Sequence, residues 1–205
     1  IQVVTISLFI QFVGFGLFLW RFISTSQQPF GESFGEAAWH AAFQAASAFN
    51  NAGFNILPGS DSLELFRTEL WIIGGVTALI ILGGISYTVM VDVVRLKRFN
   101  RFRLDSRLII LVSLALWILG TVSFFVFEFG NPQTLEDLPI GNQLVDAFFQ
   151  SVSGRTAGFS SVDFSVTEQH TNFFFIGLMF VGGASGSTAS GIKVNTFAVI
   201  LVAVL

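Results

Sequence analysis

Two short segments carry the residues on which the chemistry of this sequence depends. Asn51-Ala52-Gly53-Phe54-Asn55 and Thr156-Ala157-Gly158-Phe159-Ser160 share Ala-Gly-Phe, and residues 42–55 match residues 147–160 at five of fourteen positions without a gap, at an offset of 105. Irregular backbone after a helix presents carbonyl oxygens, which in ion filters replace the hydration shell of a cation. Glycine allows the backbone conformations that this requires. We therefore expect cation-binding carbonyls in a first filter segment (51–55) and a second filter segment (156–160), at Asn51, Ala52, Gly53, Phe54, Thr156, Ala157, Gly158 and Phe159.

The alternative for Gly53 and Gly158 is structural. A glycine often ends a helix in the left-handed conformation, here in a hairpin that would anchor the chain in lipid. The filter interpretation is favoured because a duplicated cap would not require the same Ala and Phe on both sides of the glycine.

A glycine-rich run near the end of the chain is the second candidate site. It holds four glycines among small residues, and each glycine costs a helix about 1 kcal/mol relative to alanine. We expect a break in the helix there, and a segment that could obstruct a pore and move. The alternative is close helix packing through small residues. We call residues 182–193 the glycine-rich loop; its residues of interest are Gly182, Gly183, Ser185, Gly186, Ser187, Thr188, Gly191 and Lys193.

Two cations near these segments have more than one interpretation. Lys193 is the only charge inside a predicted span, where ions are costly and usually functional. It could repel cations from a closed pore or extend to the membrane interface. Arg155 directly precedes the second filter segment, where it could brace the filter, tune affinity at the mouth, or pair with an acid such as Asp163. Glu36 and Asp146 are expected to interact favourably with helix dipoles.

Two enzyme motifs are nearly matched. Gly183-Ala184-Ser185-Gly186 fits the Gly-x-Ser-Gly of intramembrane serine proteases, but no histidine follows Ser185 to act as the base that a serine nucleophile needs. Gly186 and Gly191 have the spacing of a phosphate-binding loop, but Ile192 and Val194 stand where Lys and Ser or Thr are required. We expect no enzyme activity.

The composition indicates a membrane protein. Of 205 residues, 53% are hydrophobic and only 11% charged, and the mean hydropathy is +0.74. Soluble domains are about a quarter charged. There is no cysteine, there are two histidines, and the net charge of −3 does not suggest a nucleic-acid partner. The chain opens at Ile1 and ends inside an apolar run, which we interpret as part of a longer polypeptide.

Apolar runs predict an all-α membrane fold. Four are long enough to span a bilayer, at residues 1–20, 70–91, 108–127 and 169–192, the last continuing to 205. Two shorter stretches, 37–49 and 145–152, suit re-entrant helices. The order of span, half-span and span occurs twice, which predicts two repeats, 1–95 and 107–205, joined by a link at 96–106. Both predicted repeats cross the membrane in the same direction, whereas the repeats of many secondary transporters have inverted topology.

The charges predict the orientation. Six of the ten cations lie in 95–107, which the positive-inside rule places in the cytoplasm. Eleven of the thirteen acids lie in 21–69 and 128–170. The filter segments are therefore expected to face outside, where acids would concentrate cations or merely solvate the loops. The basic link is a candidate contact for anionic lipid.

These motifs together resemble the Trk/Ktr/HKT family of potassium transporters over essentially the whole chain. Ser153-Gly154-Arg155-Thr156-Ala157-Gly158-Phe159-Ser160 is similar to the third filter of that family, and residues 50–55 resemble the second. The family's subunits hold four such units around one pore, so this chain would supply two.

The resemblance implies the remaining expectations. The chain would transport K⁺ across the cell membrane as the only bound ion and without a cofactor, and the glycine-rich loop would act as a gate below the filter. Its partners would be the remaining repeats of the same polypeptide, a second copy in a homodimer, and a cytoplasmic nucleotide-binding ring of the RCK type. This ring is the alternative to anionic lipid as the partner that contacts the basic link. Sodium stays open as the transported ion, because selectivity depends on all four filters.

Overall fold

The computed structural model describes residues 2–24, 33–57 and 62–204, and these are α-helical apart from loops and one isolated bridge. The first repeat contains α1 (Gln2–Ser24), α2 (Phe34–Phe49), α3 (Leu70–Gly84) and α4 (Tyr87–Leu96). The second contains α5 (Leu104–Phe127), α6 (Ile140–Ser153), α7 (Gln169–Phe180) and α8 (Val194–Val204). Short 3₁₀ turns lie at Glu64–Phe66 and Phe99–Arg101. The all-α fold expected from the sequence is confirmed.

Each repeat is a long helix, a shorter helix that was expected to be re-entrant, and a helix broken in two. In the first, α1 packs on α2 and α3; in the second, α5 packs on α6, α7 and α8. The hydroxyl of Ser33 caps α2 by accepting the backbone N–H of Glu36. Glu36 lies in the first turn of that helix, where a negative charge is favourable.

Among the described residues, two helices, α1 and α5, are long and apolar enough to cross a membrane, as expected of a membrane protein. The second expected span is not one helix. It breaks at Ile85–Ser86 into α3 and α4, whose axes differ in direction by 98°, and Ser86 caps α4 by accepting the backbone N–H of Thr88. The fourth expected span is divided into α7 and α8, as the glycine-rich run predicts. Both repeats therefore end in a broken helix, whereas the sequence suggested one break.

The predicted outer end of the first repeat is held by polar and aromatic pairs. Arg21, in the last turn of α1, forms an ion pair with Glu69, the residue before α3. Trp20 and Trp71 meet edge to face with ring centroids 5.9 Å apart. Tryptophans at this level are typical of a membrane interface.

A buried carboxylate organises the corresponding end of the second repeat. Glu128 follows α5 and is fully buried. It accepts hydrogen bonds from the backbone N–H of Glu168, the residue before α7, from the hydroxyls of Thr134 and Thr171, and from the amide of Asn131. These donors compensate the burial of its charge and tie the α5–α6 loop to the start of α7.

The two repeats share one core and one buried ion pair. Phe18 and Phe49 of the first repeat belong to the same apolar cluster as Phe149 of the second. Arg67 pairs with Asp146 on α6, at 2.8 Å from Nε to Oδ2. The expectation that Asp146 acts on a helix dipole is wrong, because α6 begins at Ile140 and has no acid in its first turn; its carboxylate pairs with a cation of the other repeat instead.

Candidate functional site: two filter segments and a glycine-rich loop

The filter segments follow the C-terminal ends of the re-entrant helices α2 and α6. Their backbones repeat the same alternation: φ is positive at Asn51 (50°) and Gly53 (72°), and again at Thr156 (69°) and Gly158 (83°). Left-handed backbone is uncommon for residues with a Cβ, and threonine in it is a marked outlier. The offset of 105 residues found in the sequence therefore joins positions with the same unusual conformation.

The two segments lie against each other at their glycines. A Cβ built on Gly53 would stand 2.7 Å from the Cα of Gly158 and 2.7 Å from the carbonyl oxygen of Ala157. Glycine is thus required by contact as well as by φ. The flanking phenylalanines differ: Phe159 is buried, whereas Phe54 is 70% exposed within this chain.

A serine of each re-entrant helix holds the filter segment that follows. The hydroxyl of Ser47 donates to the carbonyl oxygen of Phe54 at 2.7 Å, and that of Ser153 donates to the carbonyl oxygen of Phe159. These serines are 106 residues apart, not 105, and the buried Gln44 and Gln150 share that offset. The first repeat closes with an N–H bond from Ala52 to Ser47 five residues back, and the second with one from Ala157 to Ser153 four residues back. The first repeat therefore contains one extra residue between helix and filter, which the gapless comparison of the sequence missed.

Six filter carbonyls are free of protein donors. In the part of the chain that the structure describes, no hydrogen-bond donor reaches the carbonyl oxygens of residues 51–53 or 156–158. The carbonyls of Phe54 and Phe159, also expected to bind the ion, are instead used by Ser47 and Ser153. A cavity of about 430 Å³ adjoins these segments; it is lined by both of them, by Gln150 and Ser153 of α6, and by Ser190 of the glycine-rich loop.

The glycine-rich loop is a compact turn between α7 and α8. Val181 and Ile192 form a parallel bridge at its base, where the N–H of Gly182 donates to Ile192 and the N–H of Ile192 donates to Phe180. A Cβ on Gly182 would stand 1.5 Å from the carbonyl oxygen of Ser190, so the two sides of the loop meet without space for a side chain.

This loop is docked on the end of α3 in the other repeat. The backbone N–H groups of Ala184 and Thr188 donate to the carbonyls of Gly84 and Gly83, at 3.0 and 3.1 Å. Those carbonyls belong to the last turn of α3, where a helix leaves its acceptors unpaired. The break after α3 thus supplies the acceptors that position the loop.

Three side chains connect the loop to the filter segments. Arg155 is buried, and its guanidinium donates to the carbonyls of Val181 and Gly182 at 3.3 and 2.5 Å and lies over the ring of Trp117. Asn51 donates through its amide to the hydroxyl of Thr188 at 2.8 Å, and the hydroxyl of Thr156 lies 3.3 Å from the carbonyl oxygen of Ser190.

One alternative offered by the sequence is wrong, and two other polar residues have partners within or near the loop. Arg155 does not pair with Asp163, which lies exposed and accepts from Ser165. These hydrogen bonds lower the pKa of Asp163. The hydroxyl of Ser185 donates to the amide oxygen of Asn195, so it is not bonded to the basic group that a protease nucleophile needs. Lys193 is partly buried and donates to the carbonyl of Ala189 in its own loop.

Each half of the chain thus contains a long apolar helix, a shorter helix that leads into a segment with two positive φ values, and a helix broken in two, the arrangement of an all-α membrane protein built by duplication. The TrkH family model, described as a cation transport protein, matches residues 1–204. The chain belongs to this family.

Named relatives and a solved structure agree with this assignment. The Ktr system potassium uptake protein B of Bacillus subtilis is 43% identical over 163 residues, which are 80% of this chain and 36% of the relative. Its namesake in Vibrio alginolyticus is 37% identical over 204 residues, covering 98% and 43%. The crystal structure of the potassium transporter TrkH from Vibrio parahaemolyticus superposes with a TM-score of 0.74 at 17% identity, covering 98% of this chain and 39% of that one, and shares the fold. The chain thus spans less than half the length of these relatives.

Proposed function

We propose that these 205 residues form half of a potassium uptake pore in the cell membrane. The observation that carries this proposal is the pair of filter segments, whose six free carbonyls lie on backbone that alternates between positive and negative φ. Such alternation allows successive carbonyl oxygens to point to one side, as a filter that replaces an ion's hydration shell requires. The ligands would be the carbonyls of residues 51–53 and 156–158, with K⁺ as the only ion and no cofactor.

The glycine-rich loop would be the gate. Its position supports this role, because Thr188 contacts Asn51 and Ser190 contacts Thr156, the first residues of the two filter segments. Opening would require release of the backbone bonds to Gly83 and Gly84. Lys193, bonded to the carbonyl of Ala189, would hold the loop in its docked arrangement.

The remaining length of the relatives would supply two further repeats of the same polypeptide. The exposed Phe54 supports this, since burying its ring against a further repeat would be favourable. The relatives named as Ktr system proteins suggest a subunit within a larger assembly, and we propose a homodimer with a cytoplasmic nucleotide-binding regulatory subunit of the RCK type.

The filter segments would face outside and the link at 95–107 the cytoplasm. In the described residues, no carboxylate lies within ion-pair distance of the cations of this link. They are therefore available to an anionic partner, and we propose that this partner is membrane lipid. The cations are Arg95, Lys97, Arg98, Arg101, Arg103 and Arg107.

Growth of a bacterial strain without its own K⁺ uptake systems tests the proposal. The full-length protein should restore growth at limiting K⁺, and Gly53→Asp should abolish the rescue at equal membrane expression. Gly130→Asp is the matched control, because Gly130 has a similar φ of 81° but open space around its Cβ position.

Flux into liposomes then identifies the ion. Uptake of ⁸⁶Rb⁺ in preference to ²²Na⁺ supports the potassium pore. Selective ²²Na⁺ uptake would replace it with a sodium pore of the same architecture, and the absence of either flux from well-folded protein with its regulatory partner would overturn the proposal.

A further inference from the structure

The first left-handed residue of each filter segment binds the glycine-rich loop with its side chain. Asn51 and Thr156 are equivalent by the offset of 105 residues, and both have positive φ. The amide of Asn51 donates to Thr188, and the hydroxyl of Thr156 is directed to the carbonyl oxygen of Ser190. The contact is thus duplicated, although the two side chains and their partners on the loop differ chemically.

Thr188 joins three elements through one hydroxyl. It accepts from Asn51, and it lies 3.0 Å from both the carbonyl oxygen of Phe49 at the end of α2 and that of Gly83 at the end of α3. Its single proton can go to either carbonyl. Because the hydroxyl is at once acceptor and donor, the orientation of the Asn51 amide depends on the loop being in place.

The backbone at Asn51 depends on that amide. Asparagine adopts left-handed φ more readily than most residues because its short polar side chain can form local hydrogen bonds. Here its amide is bonded to the loop, 137 residues away in the chain. When the loop moves, the amide loses this partner and the restraint on residue 51, the first of the free filter carbonyls, is removed.

We propose that the loop sets the ion selectivity of the filter as well as its access, through Thr188 and Asn51 in the first repeat and through Ser190 and Thr156 in the second. This rests on the proposed function. A loop that acts only as a gate would change how much current passes, whereas a loop coupled to the filter also changes which ion passes. The coupling is reciprocal, so an ion that favours the ordered filter also stabilises the docked loop.

The test is the K⁺/Na⁺ permeability ratio of the full-length protein in liposomes. Thr188→Val keeps the shape of the side chain and removes the hydroxyl; Asn51→Gly removes the amide from a position that tolerates glycine. Each should lower the ratio about two- to tenfold, the factor that corresponds to one hydrogen bond. The double variant should lower it no further than either single change, because both remove the same contact.

Two controls separate this effect from general damage. Thr77→Val makes the same chemical change at a buried threonine whose hydroxyl bonds only within α3, to Ile73, and should leave the ratio unchanged. Thr188→Ser retains the hydroxyl and should also keep the wild-type ratio, which guards against failure of the valine variant to fold.

A Thr188→Val protein that conducts with the wild-type ratio, or two single effects that add in the double variant, would overturn the coupling while leaving the pore intact. A wild-type protein that conducts neither ion would overturn the proposed function itself, so the two failures are distinguishable.

Discussion

Gly53 and Gly158 meet backbone to backbone, each with positive φ, so that a side chain at either position would press against the backbone of the other. The clearance is unequal: a Cβ on Gly53 would be 2.7 Å from backbone atoms, whereas a Cβ on Gly158 would be 3.1 Å from the Cα of Gly53. The first distance requires the backbone to shift, because contacts below 3.0 Å essentially never occur; the second requires only a small displacement.

Alanine at these two glycines should therefore damage the filter unequally. Both substitutions incur the cost of left-handed backbone, about 1–2 kcal/mol, and only Gly53→Ala adds a severe backbone clash. We expect the K⁺/Na⁺ permeability ratio to fall in both and to fall further in Gly53→Ala. Gly130→Ala incurs the same backbone cost in open space and should leave the ratio unchanged. Equal ratios in all three would contradict the filter assignment.

The sequence was enough to predict two equivalent segments after short apolar helices because this signal is local. Ala-Gly-Phe recurs within each repeat after a short apolar helix, and the structure gives equivalent residues the same conformation. The extra residue at the end of α2 was missed because the comparison used a single offset of 105, although residues 41, 43, 44 and 47 are identical to residues 147, 149, 150 and 153 at an offset of 106. The hydrogen bonds of Ser47 and Ser153 to Phe54 and Phe159 support this second register.

The break between α3 and α4 was missed for a different reason. Residues 70–91 form a continuous apolar run, and a bilayer-length run predicts one helix. The helix ends at Gly84 because its last carbonyls are taken by the glycine-rich loop of the other repeat, a contact about 100 residues distant in the chain. The pair Gly83-Gly84 followed by Ser86 was the available sequence signal.

Deletion of Ala184–Ala189 should raise K⁺ flux if the loop is a gate. The two sides of the loop that remain after this deletion are already close, since a Cβ on Gly182 would lie 1.5 Å from the carbonyl oxygen of Ser190. The shortened loop loses the N–H bonds to Gly83 and Gly84 but keeps the bridge between Val181 and Ile192. The measurement is ⁸⁶Rb⁺ uptake at matched membrane abundance.

The control for the deletion is its combination with Gly53→Asp. If the added flux passes through the filter, this second change should abolish it. Equal or lower flux in the correctly folded deletion variant would argue against a gating role.

The two described ion pairs should differ in their effect on stability. Asp146 is fully buried, so Arg67→Met leaves an uncompensated charge and should destabilise the protein by about 3–5 kcal/mol. The pair of Arg21 with Glu69 is partly exposed on both sides, and Arg21→Met should cost about 0–1 kcal/mol. The measurement is the midpoint of thermal unfolding in detergent, monitored by size-exclusion chromatography, for the Arg67→Met and Arg21→Met variants. A similar midpoint for both variants would mean that the Arg67 pair does not join the repeats energetically.

Arg155 should restrain the base of the loop through geometry that lysine cannot reproduce. Its guanidinium reaches the carbonyls of Val181 and Gly182 together and covers the Trp117 ring, whereas an ammonium group is a single compact charge. Arg155→Lys keeps the charge but loses one carbonyl contact, so the loop should undock more often and basal ⁸⁶Rb⁺ flux should rise about two- to tenfold, the factor expected for one hydrogen bond. The matched change Arg21→Lys, at an ion pair remote from the loop, should leave the flux unchanged. If both lysine variants conduct like the wild type, charge alone holds the loop and the paired carbonyl contacts are incidental.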